Sequence, residues 1–337
     1  MGLFDRLFGR QPAAGSDPLL GKALDRTVEV VEPKLALVRD WRNRLAPGVT
    51  AAIGIARAGA QCLQEVHDLS AARWASDPLL RAAFANAESI PRVLARMREL
   101  QRFMRSPEAG NEAYAVLGMV LETRKVLGAA LVGDQVRREV ERTQANFGDH
   151  RIRVVAASAE SMRQAAGVQI FNELLLGATR QLASADERRQ ELNVERAMLQ
   201  ARLRMMEHNE RALLDDFGAR DDAAVEPLAQ RAELQRRLDE MNAAMAQYGA
   251  GTEGLDRQLE IVRDALLSAR ELVRIEPLRL RLDTMNTVLD ETEAAGPPIE
   301  LVEVRAPKLS RVVAAVRVQR SDLPAGGLSI SAVERTL

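Results

Sequence analysis

Leu192, Leu199, Met206 and Leu213 recur every seven residues, and Leu203 and Phe217 extend the same stripe. A seven-residue apolar repeat held over that length requires a long helix with a seam that a second helix covers. A second run supplies that helix: Leu234, Leu238, Met241, Met245 and Tyr248, then Leu255, Leu259, Val262, Leu266 and Val273, at spacings mostly of three and four. Gly218 and Pro227 bracket an acidic stretch between the two runs. Glycine just past one helix and proline at the start of the next are the expected punctuation. Residues 161–274 therefore predict a long antiparallel coiled-coil arm with its tip at 218–227. Arg196, Arg202 and Asn209 interrupt the seam, which lowers stability but helps fix register. The same pattern suits pairing between two copies, so a homodimer through the arm stands beside the intrachain hairpin.

The regions flanking the arm change period. Leu278 to Leu282 alternates strictly, and Ile299–Val304 and Val312–Val318 are rich in β-branched residues. Alternation of this kind predicts strands. Residues 113–156 mix Val, Ile and Phe with Gly118, Gly128, Gly133 and Gly148. They too are assigned to short strands, with a hairpin turn at Gly148-Asp149; a helix over 117–142 is the alternative. A few isolated strands are unstable, so those in 113–156 and 277–320 are expected to share one short sheet. The fold class is then α+β, predominantly helical, with the arm inserted between two halves (111–160 and 275–323) of one body, and residues 324–337 as a flexible tail.

Residues 17–110 are expected to be a helical region. Ser16-Asp17-Pro18 and Ser76-Asp77-Pro78 each place a capping residue before a proline suited to a first helical turn, and Ser106-Pro107 resembles a third start. Leu35, Val38, Trp41 and Leu45 are assigned to one helix face. A helix from Pro91 carries the stripe Val93, Met97, Leu100 and Met104, with Arg92, Arg96, Arg98, Arg102 and Arg105 over the rest of its surface. Those five arginines are the candidate anion-binding patch. Residues 1–16 form an amphipathic segment and linker. Leu3, Phe4, Leu7 and Phe8 gather on one side of a short helix, which reads as a docking peptide or a weak interfacial membrane anchor.

Composition limits what this architecture does. With 47% hydrophobic and 28% charged residues, the 337-residue chain belongs to the globular class and is long enough for one large or two ordinary cores. A net charge of −1 offers no bulk attraction to polyanions, which argues against a nucleic-acid partner. The single cysteine, Cys62, forms no intramolecular disulfide and is expected to be buried and inert. No H-E-x-x-H, C-x-x-C or G-x-S-x-G motif is present. Gly249-Ala-Gly-Thr-Glu-Gly254 matches G-x-G-x-x-G in letters, but a Met-rich helix precedes it where the dinucleotide fingerprint needs a strand. No catalytic, cofactor or metal residue is assigned. The expected role is a non-catalytic cytoplasmic adaptor or scaffold. It would act on protein partners through the arm, with weak peripheral contact to the inner membrane. A nucleic-acid- or chromosome-associated coiled-coil protein and an enzyme with a site near His150 are the alternatives.

Overall fold

Residues 113–119 carry apolar side chains at nearly every position. A strand patterned this way belongs at the centre of a sheet covered on both faces. The computed structural model describes residues 18–107, 109–132, 135–217, 225–246, 252–289, 297–307 and 309–323, with side chains left aside over 128–139, 207–229 and at 246 and 252. The amphipathic segment with Leu3, Phe4, Leu7 and Phe8, the acidic tip at 218–224 and the tail 324–337 lie outside the described residues.

The chain is mixed α+β and divides into two compact units. The first contains Ala51–Leu174 and the described residues from Ser268 onward. Its elements include the C-terminal half of α2 (Trp41–Gln61), β1 (Val66–Asp68), three short helices α3 (Pro78–Ala83), α4 (Ser89–Leu94) and α5 (Arg98–Met104), and the long strands β2 (Glu112–Val132) and β3 (Gln135–Ala156). The start of α6 (Ala159–Phe217) follows. The second unit contains Leu20–Thr50 and Leu175–Leu267. It holds most of α1 (Pro18–Val31), the first turns of α2, the remainder of α6, α7 (Val225–Ala246) and α8 (Thr252–Leu267). Returning to the first unit, α9 (Ala269–Leu272) leads into β4 (Arg274–Leu280), β5 (Ile299–Ala306) and β6 (Leu309–Gln319).

The six strands form one sheet in the order β3-β2-β6-β5-β4, antiparallel throughout that path. β1 pairs parallel with β6 at 315–317, just past the stretch of β6 that β5 occupies. Strands from 113–156 and 277–320 therefore do share one sheet. β3 is continuous through Gly148-Asp149, which corrects the hairpin turn expected there. Asp149 instead occupies a register shift with φ of 45°, a left-handed conformation that bulges use as readily as turns do. β4 begins before the alternating run at Leu278 and contains Pro277. β4 ends the sheet order, and an edge strand tolerates a missing ladder donor.

Alternation sorts β2 onto two cores. Ala113, Ala115, Leu117 and Met119 are fully buried under α3, α4 and α5, with Ile90, Leu94 and Leu100 above them. Val116 faces the other way, with Val154, Val302 and Ala315, against Leu63 and the Met162 and Ala166 side chains of α6.

Three helical expectations change. Leu35, Val38 and Leu45 are buried, but not on one helix: Pro33–Leu37 is a 3-10 turn, and Asp40 at φ 55° separates it from α2. The helix from Pro91 is two helices, because Met97 takes extended backbone ahead of α5. Ser106 starts no helix; its hydroxyl donates to the Phe103 carbonyl as α5 ends. Among the described residues no helix is long and apolar enough to cross a membrane.

Candidate functional site

The anion patch expected from sequence is spread over two helices and the link between them. Arg92 lies on α4, Arg96 in the link, Arg98 and Arg102 on α5, and Arg105 at its C-cap. All five are exposed. Arg92 pairs with Glu88 at 3.6 Å. The break at Met97 means the five do not line one continuous helical face.

His150, near which the enzyme alternative would place its site, and its neighbour Asp149 are engaged separately. Asp149 accepts from Arg151 Nε at 2.9 Å and pairs with Arg311. Hydrogen bonds from Arg311 and then Arg151 hold its carboxyl below the ordinary range. His150 Nε2 donates to the Ala83 carbonyl at 2.9 Å, and its ring stacks on Phe84 at 4.6 Å. Burial pushes its pKa down, so it stays neutral at pH 7. A half-buried imidazole tied to a backbone carbonyl is a structural group. Cys62 is exposed rather than buried, with Sγ 3.4 Å from the Ala58 carbonyl. Among the described residues no cluster of three His, Cys, Asp or Glu side chains is placed to hold a metal ion.

A second histidine, in β1, has a more polar setting. His67 Nδ1 lies 2.9 Å from Asp77 Oδ2, while Asp77 Oδ1 caps α3 by accepting from the amides of Leu79 and Leu80. One carboxylate thus joins β1 to α3. His67 Nε2 and Asp68 Oδ1 are buried without a hydrogen-bond partner among the described residues. Ten residues separate His67 from Asp77, so only the cap was readable from local sequence.

Two features of larger scale remain, one in each unit. In the second unit, no side chain of α6 between Ala183 and Met206 is buried. The stripe expected from the heptads, Leu192, Leu199, Leu203 and Met206, is half-buried. A different face carries Val194, Met198 and Met205 at 56%, 67% and 68% exposure. Their spacings of four and seven, with Ala201 between, set them in line along the helix. Glu187, Glu191 and Glu195 edge a shallow groove beside Val194 and Met198.

In the first unit, a cavity of about 290 Å³ lies between the sheet and the helices α2 and α6. Val116, Gly118, Val302 and Val313 form its floor, and Gly59 and Ile170 contribute to its roof. Arg151, Arg153 and Arg311 stand on its strands, with Gln169 and Glu173 on α6. This site brings together residues of seven elements, α2, β2, β3, α6, β4, β5 and β6, and no motif marks it. Gly118, the position without a side chain in the apolar stretch 113–119, is the single local signal.

Comparison with known proteins leaves the reading to geometry: no family model, no curated protein and no solved structure matches the chain.

Proposed function

We propose that the protein is a non-catalytic cytoplasmic adaptor that recognises a protein partner through the α6 arm. The observation that carries this reading is the exposed row Val194, Met198 and Met205. Apolar side chains left in line along a helix, edged by charge, suit a helix-on-helix contact. The acidic margin of Glu187, Glu191 and Glu195 favours a partner helix with basic flanks. In this reading α6 and α7 are the two legs of an antiparallel coiled-coil hairpin with its tip at 218–227. Support comes from the half-buried Leu192, Leu199 and Leu203 on α6 and the buried Leu234 and Leu238 on α7. Leu3, Phe4, Leu7 and Phe8 serve as a weak tether to a membrane surface.

A specific observation favours a second copy of the chain as that partner. In an antiparallel pairing, Val194 of one copy falls opposite Met205 of the other and Met198 opposite Ala201. Glu195 then stands beside Arg202, and the two-fold repeats each contact.

Partner capture from native cells, run beside sedimentation velocity, tests both readings. The intact chain is compared with a triple variant, Val194→Glu, Met198→Glu and Met205→Glu, whose positions are exposed and leave the fold intact. Loss of captured protein in the triple variant makes the stripe the recognition surface; unchanged capture removes the adaptor reading. A dimer that the triple variant splits, and that Glu195→Arg weakens unless Arg202→Glu is added, identifies the partner as a second copy.

A further inference from the structure

We infer that the cavity in the first unit is a binding site for a medium-chain carboxylate, an unbranched apolar tail with a monoanionic head. This inference stands independently of the adaptor reading and concerns a different unit of the molecule.

The space is not a by-product of loose packing. Its roof includes Gly59, where an added Cβ would come within 2.8 Å of Ile275 Cδ1 and 2.9 Å of Ile170 Cδ1. That wall is as close as side chains permit. Leu63, Val116, Val302 and Ala315 beside the cavity are buried. Interiors packed to this density seldom keep a void many times the size of a water molecule.

Gly118 is what leaves the space open. An added Cβ there would meet nothing nearer than the Arg151 carbonyl oxygen at 3.7 Å and Val313 Cγ1 at 3.8 Å. The backbone at this position has no positive φ that would call for glycine. Glycine inside a strand weakens it and marks either a bulge or a place where something else approaches closely. The ladder shifts register just after Gly118, but the extra residue of that bulge is on β3, at Asp149, and asks for no glycine on β2; Gly118 itself lies in the cavity floor, between β3 and β6.

The occupant's shape and charge follow from the walls. Valine and isoleucine side chains line the interior, so the buried part of the ligand is apolar. A cavity of about 150 Å³ takes benzene, roughly six heavy atoms, so a volume of about 290 Å³ holds on the order of ten, a chain near the length of decanoate. The polar wall sets the head group. Arg311 donates from Nη1 to the Asp149 carbonyl oxygen at 2.9 Å and pairs with the Asp149 carboxylate, which also takes Arg151. Glu173 accepts from Gln169 at 3.2 Å. Two carboxylates, Asp149 and Glu173, thus face three guanidinium groups. Arg153 is the one without a hydrogen-bond or ion-pair partner among the described residues, and it is exposed, which places the charged end toward solvent. The surplus is one positive charge. A single carboxylate balances it, and a guanidinium fork suits carboxylate geometry.

Isothermal titration of the full chain with decanoate, below its micelle concentration, tests the assignment, with decanol and acetate as controls. The expected result is saturable one-to-one binding of decanoate, at least tenfold weaker binding of decanol and none of acetate. Gly118→Leu fills the floor; it keeps or raises the thermal midpoint of the unliganded protein and weakens decanoate at least tenfold. Arg153→Gln, an exposed change that leaves folding alone, weakens decanoate several-fold and leaves decanol as it was. Absence of decanoate binding to the folded wild-type chain overturns the proposal. So does binding that Gly118→Leu does not alter. Equal affinity for decanoate and decanol, indifferent to Arg153→Gln, overturns the assignment of an anionic head.

Discussion

The sheet unit and the α6 arm are built from similar residues but held in different ways. In the sheet unit each side chain answers to distant parts of the chain. Leu117 is fully buried, with Val312 and Ala314 of β6 beside it in the sheet and residues near 80 and 100 above it. In the arm, most of the ion pairs are local. Glu233 pairs with Arg236 at 2.8 Å and Arg237 at 2.9 Å, and Arg188 pairs with Glu191 at 3.2 Å, all one helical turn apart. Hydrogen bonds from Arg236 and then Arg237 hold the Glu233 pKa down to about 2. Such exposed pairs are screened by solvent and each adds little to helix stability. The difference teaches where each region's apolar surface goes. The sheet unit uses it internally, while the arm leaves Val194, Met198 and Met205 for contact with something else.

The largest test of this contrast is a pair of truncations. Leu117→Ala removes a fully buried side chain from a packed face and should cost about 2–5 kcal/mol. Met198→Ala, at 67% exposure, should stay within about 0.5 kcal/mol. Urea unfolding of both variants, at a concentration where the chain is monomeric, measures the two values. A cost for Met198→Ala near that for Leu117→Ala under those conditions would break the contrast, because it would mean that the stripe is covered within a single chain.

A smaller and sharper test uses two glycines on one helix, α2. At Gly48, in the second unit, an added Cβ would lie 2.7 Å from the Arg263 carbonyl oxygen and 3.1 Å from Leu266 Cβ. Backbone does not yield as a side-chain tip does, so Gly48→Ala should destabilise by about 1–3 kcal/mol. At Gly54 nothing lies within 4 Å. Gly54→Ala should therefore stabilise by about 0.5–1 kcal/mol, the ordinary helix preference for alanine. Thermal melts of the two variants should move in opposite directions. Two shifts of the same sign would mean that the approach of α8 to α2 is looser than 2.7 Å implies.

What was legible in the sequence follows from the range over which each signal acts. Alternation in 299–304 and 312–318 named β5 and β6 because period two is a local property that burial only reinforces. Asp77 was legible as a cap because a cap is decided within three residues. β1 was not, since Val66, His67 and Asp68 carry no pattern and owe their strand geometry to β6. Gly148-Asp149 reads as a turn although it is a bulge, because both use the same backbone conformation. The break at Met97 left no mark, as no glycine or proline stands there. The cavity was least legible of all. Gly59, Gly118, Arg153, Ile170 and Val313 belong to five segments, and their meeting is a property of the sheet order. The exposed row on α6 is hidden for the opposite reason: the leucine heptads on the other face are the stronger pattern, and Val194, Met198 and Met205 keep no regular repeat of their own.

The smallest expected effect sets two histidines of the sheet unit against each other. Burial alone would lower the His67 pKa, but the hydrogen bond and charge of Asp77, with the charge of Glu65, reverse this and raise it. At Asp77 burial pulls the other way, and His67 and the capped amides bring the carboxyl below its usual range. A raised histidine contributes stability that is fully present below the unfolded value near 6.5 and is lost as pH rises through the folded value. The depressed Asp77 contributes above its unfolded value and loses that contribution only in acid. His150 has the opposite sign. Burial, against a weaker pull from the Ala83 carbonyl and Asp149, lowers its pKa. Below about pH 6.5 the unfolded chain therefore takes up a proton that folded His150 refuses, and stability falls with pH. The two windows meet near pH 6.5, so the thermal midpoint of the wild-type protein should be highest there and fall on either side. Removing one histidine leaves the other. In His150→Gln only the fall above about pH 6.5 should remain, and in His67→Gln only the fall below it. Parallel profiles for the two variants would show that the Asp77 contact does not hold the proton on His67, and that the joint between β1 and α3 is uncharged.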